Sequence, residues 1–303
     1  MHETALSSPQ WDTRSDGPPF TLHRPAELHL PMVLNSPHSG RQYPTDFIAR
    51  SRLTKEGIRR SEDCYVDELV SPMAAAGAAV LTANFPRAYL DVNREPYELD
   101  PTMFDGELPP YANRQSQRVA SGLGTIARIV AENQEIYRQK IALNDGLERI
   151  EMLYKPYHGA LRRALAETHV RFGFAILVDC HSMPSVDQNR RRSERPDIIL
   201  GDRFGSSCAG ALTDHLAQAF ADCGYSVTRN KPYAGGFITH HYGRPLKGLH
   251  AVQIEINRGL YMNELTYQRL PAFAELQHNL CSVIGGLSTL TFGDNAEDLL
   301  AAE

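Results

Sequence analysis

The sequence predicts an α/β fold in which a mixed, mostly parallel sheet is flanked by helices on both faces. Short apolar runs bounded by turn residues recur along the chain, as is typical of buried strands. Segments with apolar residues three and four positions apart lie between these runs and are typical of amphipathic helices. The alternation of the two kinds of segment indicates a sheet that is covered on both sides.

The individual elements follow from these patterns. Strands are predicted at Met32–Leu34, Ala78–Ala83, Ala175–Val178, Ile198–Leu200 and Ala251–Ile256. Helices are predicted at Thr54–Ala75, Ile126–Ala166, Cys208–Asp222 and Ala272–Leu287. We expect Pro156 and Gly159 to break the second helix into two pieces, because proline clashes with the preceding helical turn. Ligands bind beyond the carboxyl ends of strands in open α/β sheets, so functional residues should follow the strands.

Length and composition indicate one large domain. The chain has 303 residues, of which 42% are hydrophobic, and a single α/β enzyme can have this size. We expect residues 1–20 to form a loose N-terminal arm, residues 21–290 to form one domain, and residues 291–303 to form a C-terminal tail. The Arg190–Arg192 run is expected to be a solvated loop, with attraction of anionic substrate as the alternative.

Charge and cysteine content limit the classes of partner. The 31 Lys and Arg residues against 36 Asp and Glu give a formal charge of -5, which predicts no nucleic-acid or anionic-membrane partner. We expect a small-molecule substrate instead. The five scattered cysteines include no Cys-x-x-Cys pair, and we expect reduced thiols and a cytoplasmic location. We find no signal-like apolar run and no apolar stretch of membrane-spanning length.

Two predicted strands lead into a histidine. The segment NSPHSGR, residues 35–41, contains His38, and the segment DCHSMP, residues 179–184, contains His181. A neutral imidazole at a strand end can bind a metal ion, whereas the alternative for His38 is to cap a backbone carbonyl. Asp179 or a backbone carbonyl is expected to fix the tautomer of His181. The repetition of strand, histidine and serine favours a shared metal site.

A catalytic zinc site needs a third protein ligand besides two histidines. The acidic segment SEDCYVDE, residues 61–68, lies on the first predicted helix. Val66 marks the core-facing stripe of this helix, which places Asp63 near the core and turns Glu62 and Asp67 outward. We predict Asp63 as the third ligand, with Glu62 as the other acid to consider. The alternative is that these acids only favour the helix dipole.

The last strand offers a candidate catalytic base. Gln253, Glu255 and Asn257 alternate with apolar residues, so they share one face of the strand. A carboxylate among apolar neighbours near a metal ion is suited to proton transfer. We therefore predict Glu255 as the general base, with a structural glutamate paired to an arginine as the alternative.

Arginines near strand ends predict an acidic substrate. Arg87 and Arg94 flank Asn93 in a segment that follows the second strand, and an arginine fork binds carboxylates in bidentate fashion. Surface salt bridges are the alternative. Arg41 and Arg244 are further candidates for holding the substrate carboxylates, and the glycine-rich segment before Arg244 is a candidate lid or a rigid turn.

Together these motifs resemble the N-formylglutamate amidohydrolase family. The likeness is carried by NSPHSGRQYP, FPRAYLDVNR, DCHSMPS, PYAGGF and HAVQIEINR, and it extends over about residues 30–285. It implies a metal-dependent enzyme that hydrolyses N-formyl-L-glutamate to formate and L-glutamate, the last step in one bacterial route of histidine degradation. It also implies kinship with zinc carboxypeptidases and aspartoacylases, and hence a zinc-carboxypeptidase-like, phosphorylase/hydrolase-like fold.

The resemblance also assigns residue roles. Asn93 and Arg94 match the relatives' residues that hold the substrate carboxylate, while His181 and Glu255 match a metal ligand and the catalytic glutamate. The relatives' first zinc motif is His-x-x-Glu, and this chain has Arg41 where the acid should be. Asp63 or Glu62 is then expected to replace that acid, or the site is built differently.

The mechanism implied is attack by a metal-activated water, with zinc held by His38, Asp63 and His181 and with Glu255 as the base. Other divalent ions also suit such ligands. Three alternatives stay open: another N-acyl or N-carbamoyl acidic amino acid as substrate, a Cys180/His181 thiol amidase, and a non-catalytic binder of acidic metabolites. Adjacent strand residues point to opposite faces, which disfavours the thiol amidase. The sequence leaves the oligomeric state open.

Overall fold

The computed structural model describes residues 11, 17–131, 134–185 and 196–291. Most of the predicted N-terminal arm and almost all of the predicted C-terminal tail therefore lie outside the described residues. The Arg190–Arg192 run lies outside them as well. No helix in the described part of the chain is long and apolar enough to cross a membrane.

The described residues form a seven-stranded sheet with strand order β1-β3-β2-β6-β9-β7-β8. Strands β2, β6 and β9 are parallel neighbours, and β7 is parallel to β8 but antiparallel to β9. The prediction of a mixed, mostly parallel sheet is confirmed. The strand bounds are β1 Phe20–His23, β2 Met32–Ser36, β3 Ala79–Ala83, β4 Phe104–Asp105, β5 Ile141–Ala142, β6 Ala175–Met183, β7 Ile198–Gly201, β8 Val227–Arg229 and β9 Leu249–Asn257. Strands β4 and β5 pair separately.

The three longest helices of the described residues lie in the second half of the chain. Their bounds are α1 Thr45–Arg50, α2 Lys55–Ile58, α3 Val66–Val70, α4 Pro72–Ala75, α5 Gln117–Ala120, α6 Leu143–Arg149, α7 Lys155–Phe172, α8 Gly210–Asp222, α9 Phe237–Tyr242 and α10 Phe273–Gly286. Helix α8 contacts β7 and β8, and α9 contacts β6 and β9. Leu212, Leu216 and Phe220 recur every four residues along α8 and are fully buried, as its apolar stripe predicts.

The prediction of one helix over Thr54–Ala75 is wrong. Helix α2 and a 3-10 turn at Arg59–Ser61 are followed by extended backbone at Glu62, and Tyr65 has a φ of 65°. A positive φ is incompatible with a continuous right-handed helix. The backbone N–H of Asp63 instead donates to the carbonyl of His38 at 3.0 Å. A contact distant in sequence has therefore overridden the local helical pattern.

The second long helix also differs from the prediction. Helix begins at Leu143, and a π-turn at Ile150–Tyr154 leads into α7, which contains both Pro156 and Gly159. The expected break at these two residues is therefore wrong. A π-turn is wider than an α-turn, so it relieves the clash between the proline ring and the preceding turn.

Two sets of residues each form a compact unit. The first unit consists of the described residues up to Leu22, Ser36–Asp67 and Leu81–Arg162. Its core includes Phe47, Phe85 and Tyr89. The second unit consists of the described residues of His23–Asn35, Glu68–Val80 and the chain from Arg163 onward. In this unit β6 and almost all of β9 are buried. Burial on both faces explains the apolar run Ala175–Val178 at the start of β6. The single-domain assignment stays a prediction.

Gly40 provides a test of packing in the loop after β2. A Cβ atom at this position would lie 2.1 Å from the carbonyl oxygen of Phe85, a contact that the backbone could relieve only by moving. We expect Gly40→Ala to destabilise the protein by about 1–3 kcal/mol, as overpacking does in other proteins. Thermal and urea unfolding of the purified variant measure this change.

Gly210→Ala is the matched control. Gly210 is the first residue of α8, and a Cβ atom there would meet nothing within 4 Å. Alanine favours helix over glycine, so we expect an unchanged or slightly higher Tm. Equal Tm values for the two variants would show that the loop after β2 is not packed as described.

Candidate metal centre and catalytic site

His38 lies between two carboxylates in the loop after β2. Its Nε2 atom lies 2.7 Å from Oδ1 of Asp91, and its Nδ1 atom lies 3.5 Å from Oδ2 of Asp63. All three side chains are buried. The absence of a side chain at Gly40 lets this loop pass directly against the backbone of Phe85, which keeps His38 in place.

Asp91 is held as an anion by the residues around it. Arg87 donates to its Oδ2 atom at 2.7 Å, a nitrogen of Arg94 lies 3.7 Å from the same oxygen, and the backbone N–H of Asn93 donates to Oδ1 at 2.8 Å. Burial acts to raise the pKa of Asp91, but the charges of Arg94, His38 and Arg87 hold it well below its ordinary value. The carboxylate therefore remains available to orient His38.

His181 has a similar carboxylate partner within its own strand. Asp179 and His181 alternate on β6, and Oδ2 of Asp179 lies 3.0 Å from Nε2 of His181. The amide of Asn35, on β2, donates to Oδ1 of Asp179 at 2.7 Å, and the two residues are paired in register. Of the two groups expected to orient His181, the side chain of Asp179 therefore makes the contact.

The three predicted metal ligands are brought together. His38, Asp63 and His181 each offer one ligand atom, and these atoms all lie within 4.8 Å of one another. Two imidazole nitrogens and one carboxylate oxygen are a donor set that zinc and other divalent ions accept. A carboxylate beside the second nitrogen of each ring is the arrangement that orients histidine ligands in metal sites. The residues therefore fit a divalent metal ion.

Glu62, the other acid considered for this set, is buried and directed elsewhere. Arg59 donates to both of its oxygens, at 3.0 and 3.1 Å, and the hydroxyl of Tyr43 donates at 3.0 Å. The prediction that Glu62 points outward is wrong, because the extended backbone at Glu62 interrupts the helix on which that prediction depended. The ion pair with Arg59 makes Asp63 the better candidate ligand.

Glu255 lies beside His181 in the sheet. The two residues are paired in register on the parallel strands β9 and β6, so their side chains point to the same face. The amide of Gln253 donates to Oε1 of Glu255 at 2.8 Å, and Gln253 in turn accepts from the N–H of Gly236 at 2.8 Å. This chain of hydrogen bonds fixes the orientation of the carboxylate.

The candidate substrate-binding arginines differ in their surroundings. Arg94 is 7% exposed, and it donates to the carbonyls of Leu123 and Asn93, both at 2.9 Å. Burial lowers the pKa of Arg94 to about 10, with Asp91 opposing this effect, so the side chain is a cation at neutral pH. Arg87, by contrast, donates a hydrogen bond to Asp91 at 2.7 Å. Among these side chains, Arg94 is the buried cation beside Asn93.

Arg41 and Arg244 lie at the surface. Arg41 donates to Asp67 at 2.6 Å and lies over the ring of Tyr65, with 5.4 Å between the guanidinium carbon and the ring centre. Arg244 donates to the carbonyls of His240 and Gly243, both at 2.7 Å, within its own loop. These contacts favour local structural roles for both arginines.

Arg258 is a buried cation that the sequence reasoning missed. It follows the end of β9, is 8% exposed, and donates from Nε to the hydroxyl of Ser182, the neighbour of His181, at 2.9 Å. A repeated pattern could have revealed it. Residues 91–94 read Asp-Val-Asn-Arg and residues 255–258 read Glu-Ile-Asn-Arg, which is twice an acid, an aliphatic residue, an asparagine and an arginine.

The structure disfavours Cys180 as a nucleophile. Its side chain is fully buried, and burial followed by the charge of Asp179 raises the pKa of the thiol well above its ordinary value. A reactive cysteine needs the opposite shift. Cys180 also lies between Asp179 and His181 on β6, so its side chain points to the other face of the strand.

The chain is similar to proteins of one enzyme family. A model of the family described as N-formylglutamate amidohydrolase matches residues 30–262. The chain is 31% identical over 239 residues to the N-formylglutamate deformylase of Pseudomonas putida, covering 78% of this chain and 83% of that protein. It is 27% identical over 238 residues to the N-formylglutamate deformylase of Pseudomonas aeruginosa, with the same coverage of 78% and 83%.

Solved structures agree with this result. The crystal structure of N-formylglutamate amidohydrolase from Ralstonia eutropha JMP134 has a TM-score of 0.84 and 35% identity, over 89% of this chain and 97% of that chain. A gene product of Agrobacterium tumefaciens has a TM-score of 0.65 at 19% identity, over 91% of this chain and 97% of that chain. The second likeness shows a shared fold.

Asp179→Asn tests whether the carboxylate beside His181 supports metal binding. Asparagine keeps the size of the side chain but cannot hold the imidazole as an anion does. We expect divalent metal affinity to fall about 10- to 100-fold, as it does when such partners are lost in other metal sites. Competition with a chromophoric chelator measures the affinity. Asp197→Asn is the control, because Asp197 accepts hydrogen bonds from Ser226 instead; equal affinities in both variants would exclude the role of Asp179.

Proposed function

This chain belongs to the N-formylglutamate amidohydrolase family, and from that premise we propose that it uses zinc to hydrolyse N-formyl-L-glutamate to formate and L-glutamate. Membership makes it a hydrolase of amide bonds. The observation that carries the proposal is the buried cluster of His38, Asp63 and His181, whose ligand atoms lie within 4.8 Å of one another. These three residues would hold the metal ion.

The bound zinc would supply a Lewis acid that polarises the formyl carbonyl and lowers the pKa of a water molecule. The side chains around the ligands support that role. Asp91 and Asp179 orient the two imidazoles through their Nε2 atoms, which directs the other ring nitrogen of each towards the ligand position. Zinc is preferred for this donor set, and other divalent ions are compatible with it.

Glu255 is proposed as the general base. Its carboxylate takes a proton from the attacking water and then gives it to the nitrogen of the departing glutamate. Gln253 holds the carboxylate at Oε1, and the register with His181 directs it to the face that bears this ligand. Because Glu255 is largely buried, little water competes for the proton.

Buried arginines are proposed to bind the two carboxylates of the substrate. Arg94 and Asn93 hold one carboxylate, as the family likeness of this segment implies. Arg258, a buried cation that Ser182 holds at the end of β9, is the candidate for the second. An ion pair with a guanidinium is strongest where water is excluded, which favours these side chains over the exposed Arg41.

The proposal has three further features. The family likeness supports a small-molecule acidic substrate and a place in histidine degradation, and the scattered free cysteines favour a cytoplasmic location. The raised pKa of Cys180 argues against a thiol mechanism. Other N-acyl acidic amino acids serve as comparison substrates in the experiments that follow.

Formate release is the direct test of the proposed activity. We expect the purified protein to release formate from N-formyl-L-glutamate, to lose this activity on exhaustive chelation, and to recover it when zinc is added. A coupled formate dehydrogenase assay measures the product. N-acetyl-L-glutamate and N-carbamoyl-L-glutamate are the comparison substrates, and release of L-glutamate, the product common to all three reactions, measures their hydrolysis. A folded, metal-loaded protein that releases no formate, or equal activity before and after verified metal removal, would contradict the proposal.

Glu255→Gln separates proton transfer from metal binding. Glutamine has the shape of glutamate but cannot accept the proton, so we expect kcat to fall by about 100- to 10,000-fold. Metal content measured by mass spectrometry should stay at the wild-type level. Glu275→Gln, at an exposed position in the first turn of α10, is the control and should leave kcat unchanged. Normal turnover by Glu255→Gln would exclude its assignment as base.

A further inference from the structure

The π-turn at Ile150–Tyr154 interrupts a helix that is otherwise α-helical from Leu143 to Phe172. The N–H of Lys155 donates to the carbonyl of Ile150, five residues earlier. Such a turn contains one more residue than an α-turn, has poorer packing, and occurs frequently at functional sites. Its presence in a helix with one buried face calls for a structural reason.

The extra residue aligns three polar side chains along one face of the helix. In an α-helix, residues five apart lie about 140° from each other around the axis. The inserted residue brings Tyr154 to the position that an α-helix gives to the fourth residue after Arg149, about 40° away. His158 follows four residues later, and its ring stacks on Tyr154 with 4.3 Å between the ring centres. All three side chains are buried.

These side chains bind three backbone carbonyls of the segment Tyr89–Arg94. Arg149 donates to the carbonyl of Tyr89 at 3.1 Å and lies over its ring, with 3.9 Å between the guanidinium carbon and the ring centre. The other two contacts lie on either side of Asn93. They are the hydroxyl of Tyr154 to the carbonyl of Arg94 at 2.6 Å and Nε2 of His158 to the carbonyl of Val92 at 2.8 Å.

We propose that this π-turn is a positioning element for substrate recognition. By placing Arg149, Tyr154 and His158 on three carbonyls of one segment, it fixes the side chains of Asn93 and Arg94 for a substrate carboxylate. The inference rests on the proposed function, in which these two side chains bind the substrate. None of the three residues touches the substrate in this account, and each acts through the backbone of the segment.

Tyr154→Phe removes one hydroxyl from this arrangement. A hydrogen bond of this kind contributes about a 3- to 10-fold effect, so we expect KM for N-formyl-L-glutamate to rise by that factor. We expect kcat to stay within about twofold of the wild type. Tyr225→Phe is the matched control. This substitution also removes a tyrosine hydroxyl that makes a hydrogen bond, here one donated by Asn279 at 3.1 Å. If Tyr154→Phe acted only by lowering the amount of folded enzyme, kcat would fall in proportion to the loss in Tm.

A double-mutant cycle links Tyr154 to Arg94. If the hydroxyl acts by positioning Arg94, then Tyr154→Phe should have little further effect on KM in an Arg94→Lys background. Additive effects of the two substitutions would overturn the proposal. An unchanged KM for Tyr154→Phe, or a fall in kcat that only follows Tm, would overturn it as well.

Two substitutions at His158 extend the test. The side-chain amide of His158→Gln can reach the position of Nε2 and donate to the carbonyl of Val92, so we expect a KM close to that of the wild type. His158→Leu lacks a donor and should raise KM by a factor similar to that of Tyr154→Phe. Equal KM values for the two His158 variants would count against the proposal.

Deleting Met152, an exposed residue of the π-turn, tests the turn itself. The deletion makes Tyr154 the fourth residue after Arg149, so a regular α-helix keeps both side chains in line with His158. We therefore expect a KM close to that of the wild type. A rise in KM as large as that of Tyr154→Phe, in a variant that folds, would contradict the view that the π-turn acts by aligning these side chains. If this variant does not fold, the point variants decide the question.

Failure of the proposed function would be recognised separately. If the wild-type protein releases no formate, the activity assignment fails, and calorimetric titration with L-glutamate then replaces KM as the measurement. Weaker L-glutamate binding by Tyr154→Phe than by Tyr225→Phe supports the positioning role even in that case. Equal binding by the two variants overturns it.

Discussion

The buried pairing of each histidine with an aspartate is the interaction on which the rest of the site depends. Asp91 and Asp179 are carboxylates removed from water, and such groups are costly to bury unless other residues compensate their charge. Arg87, Arg94 and a backbone N–H provide this compensation for Asp91, and Asn35 donates to Asp179. The compensated carboxylates can then orient the imidazoles of His38 and His181.

This constraint connects the proposed metal site and the proposed substrate site through one short segment. Asp91 faces His38, while Asn93 and Arg94, two and three residues later, are the candidates for the substrate carboxylate. The helix that contains the π-turn holds the backbone of this segment through the carbonyls of Tyr89, Val92 and Arg94. A shift of this segment would therefore disturb both functions at once, which is consistent with the buried contacts made to it.

The strand-end residues could be predicted from sequence because their signals are local. Buried runs that lead into a histidine or include an isolated glutamate predict His38, His181 and Glu255 as candidates, and the mixed sheet follows from the same runs. The backbone around Asp63 could not be predicted in this way. Its hydrogen bond to the carbonyl of His38 joins residues 25 positions apart, and this contact replaces the helix that the local pattern predicts. The contact between His38 and Asp91 joins residues that are 53 positions apart in the sequence.

The most direct test of this account is a crystal structure of the zinc-loaded protein with anomalous diffraction data collected on both sides of the zinc absorption edge. The account predicts an anomalous peak bonded to His38, Asp63 and His181, with Asp91 and Asp179 in contact with the outer nitrogen of each imidazole. A peak bonded to other residues, or no peak at these three side chains in an active preparation, would contradict it.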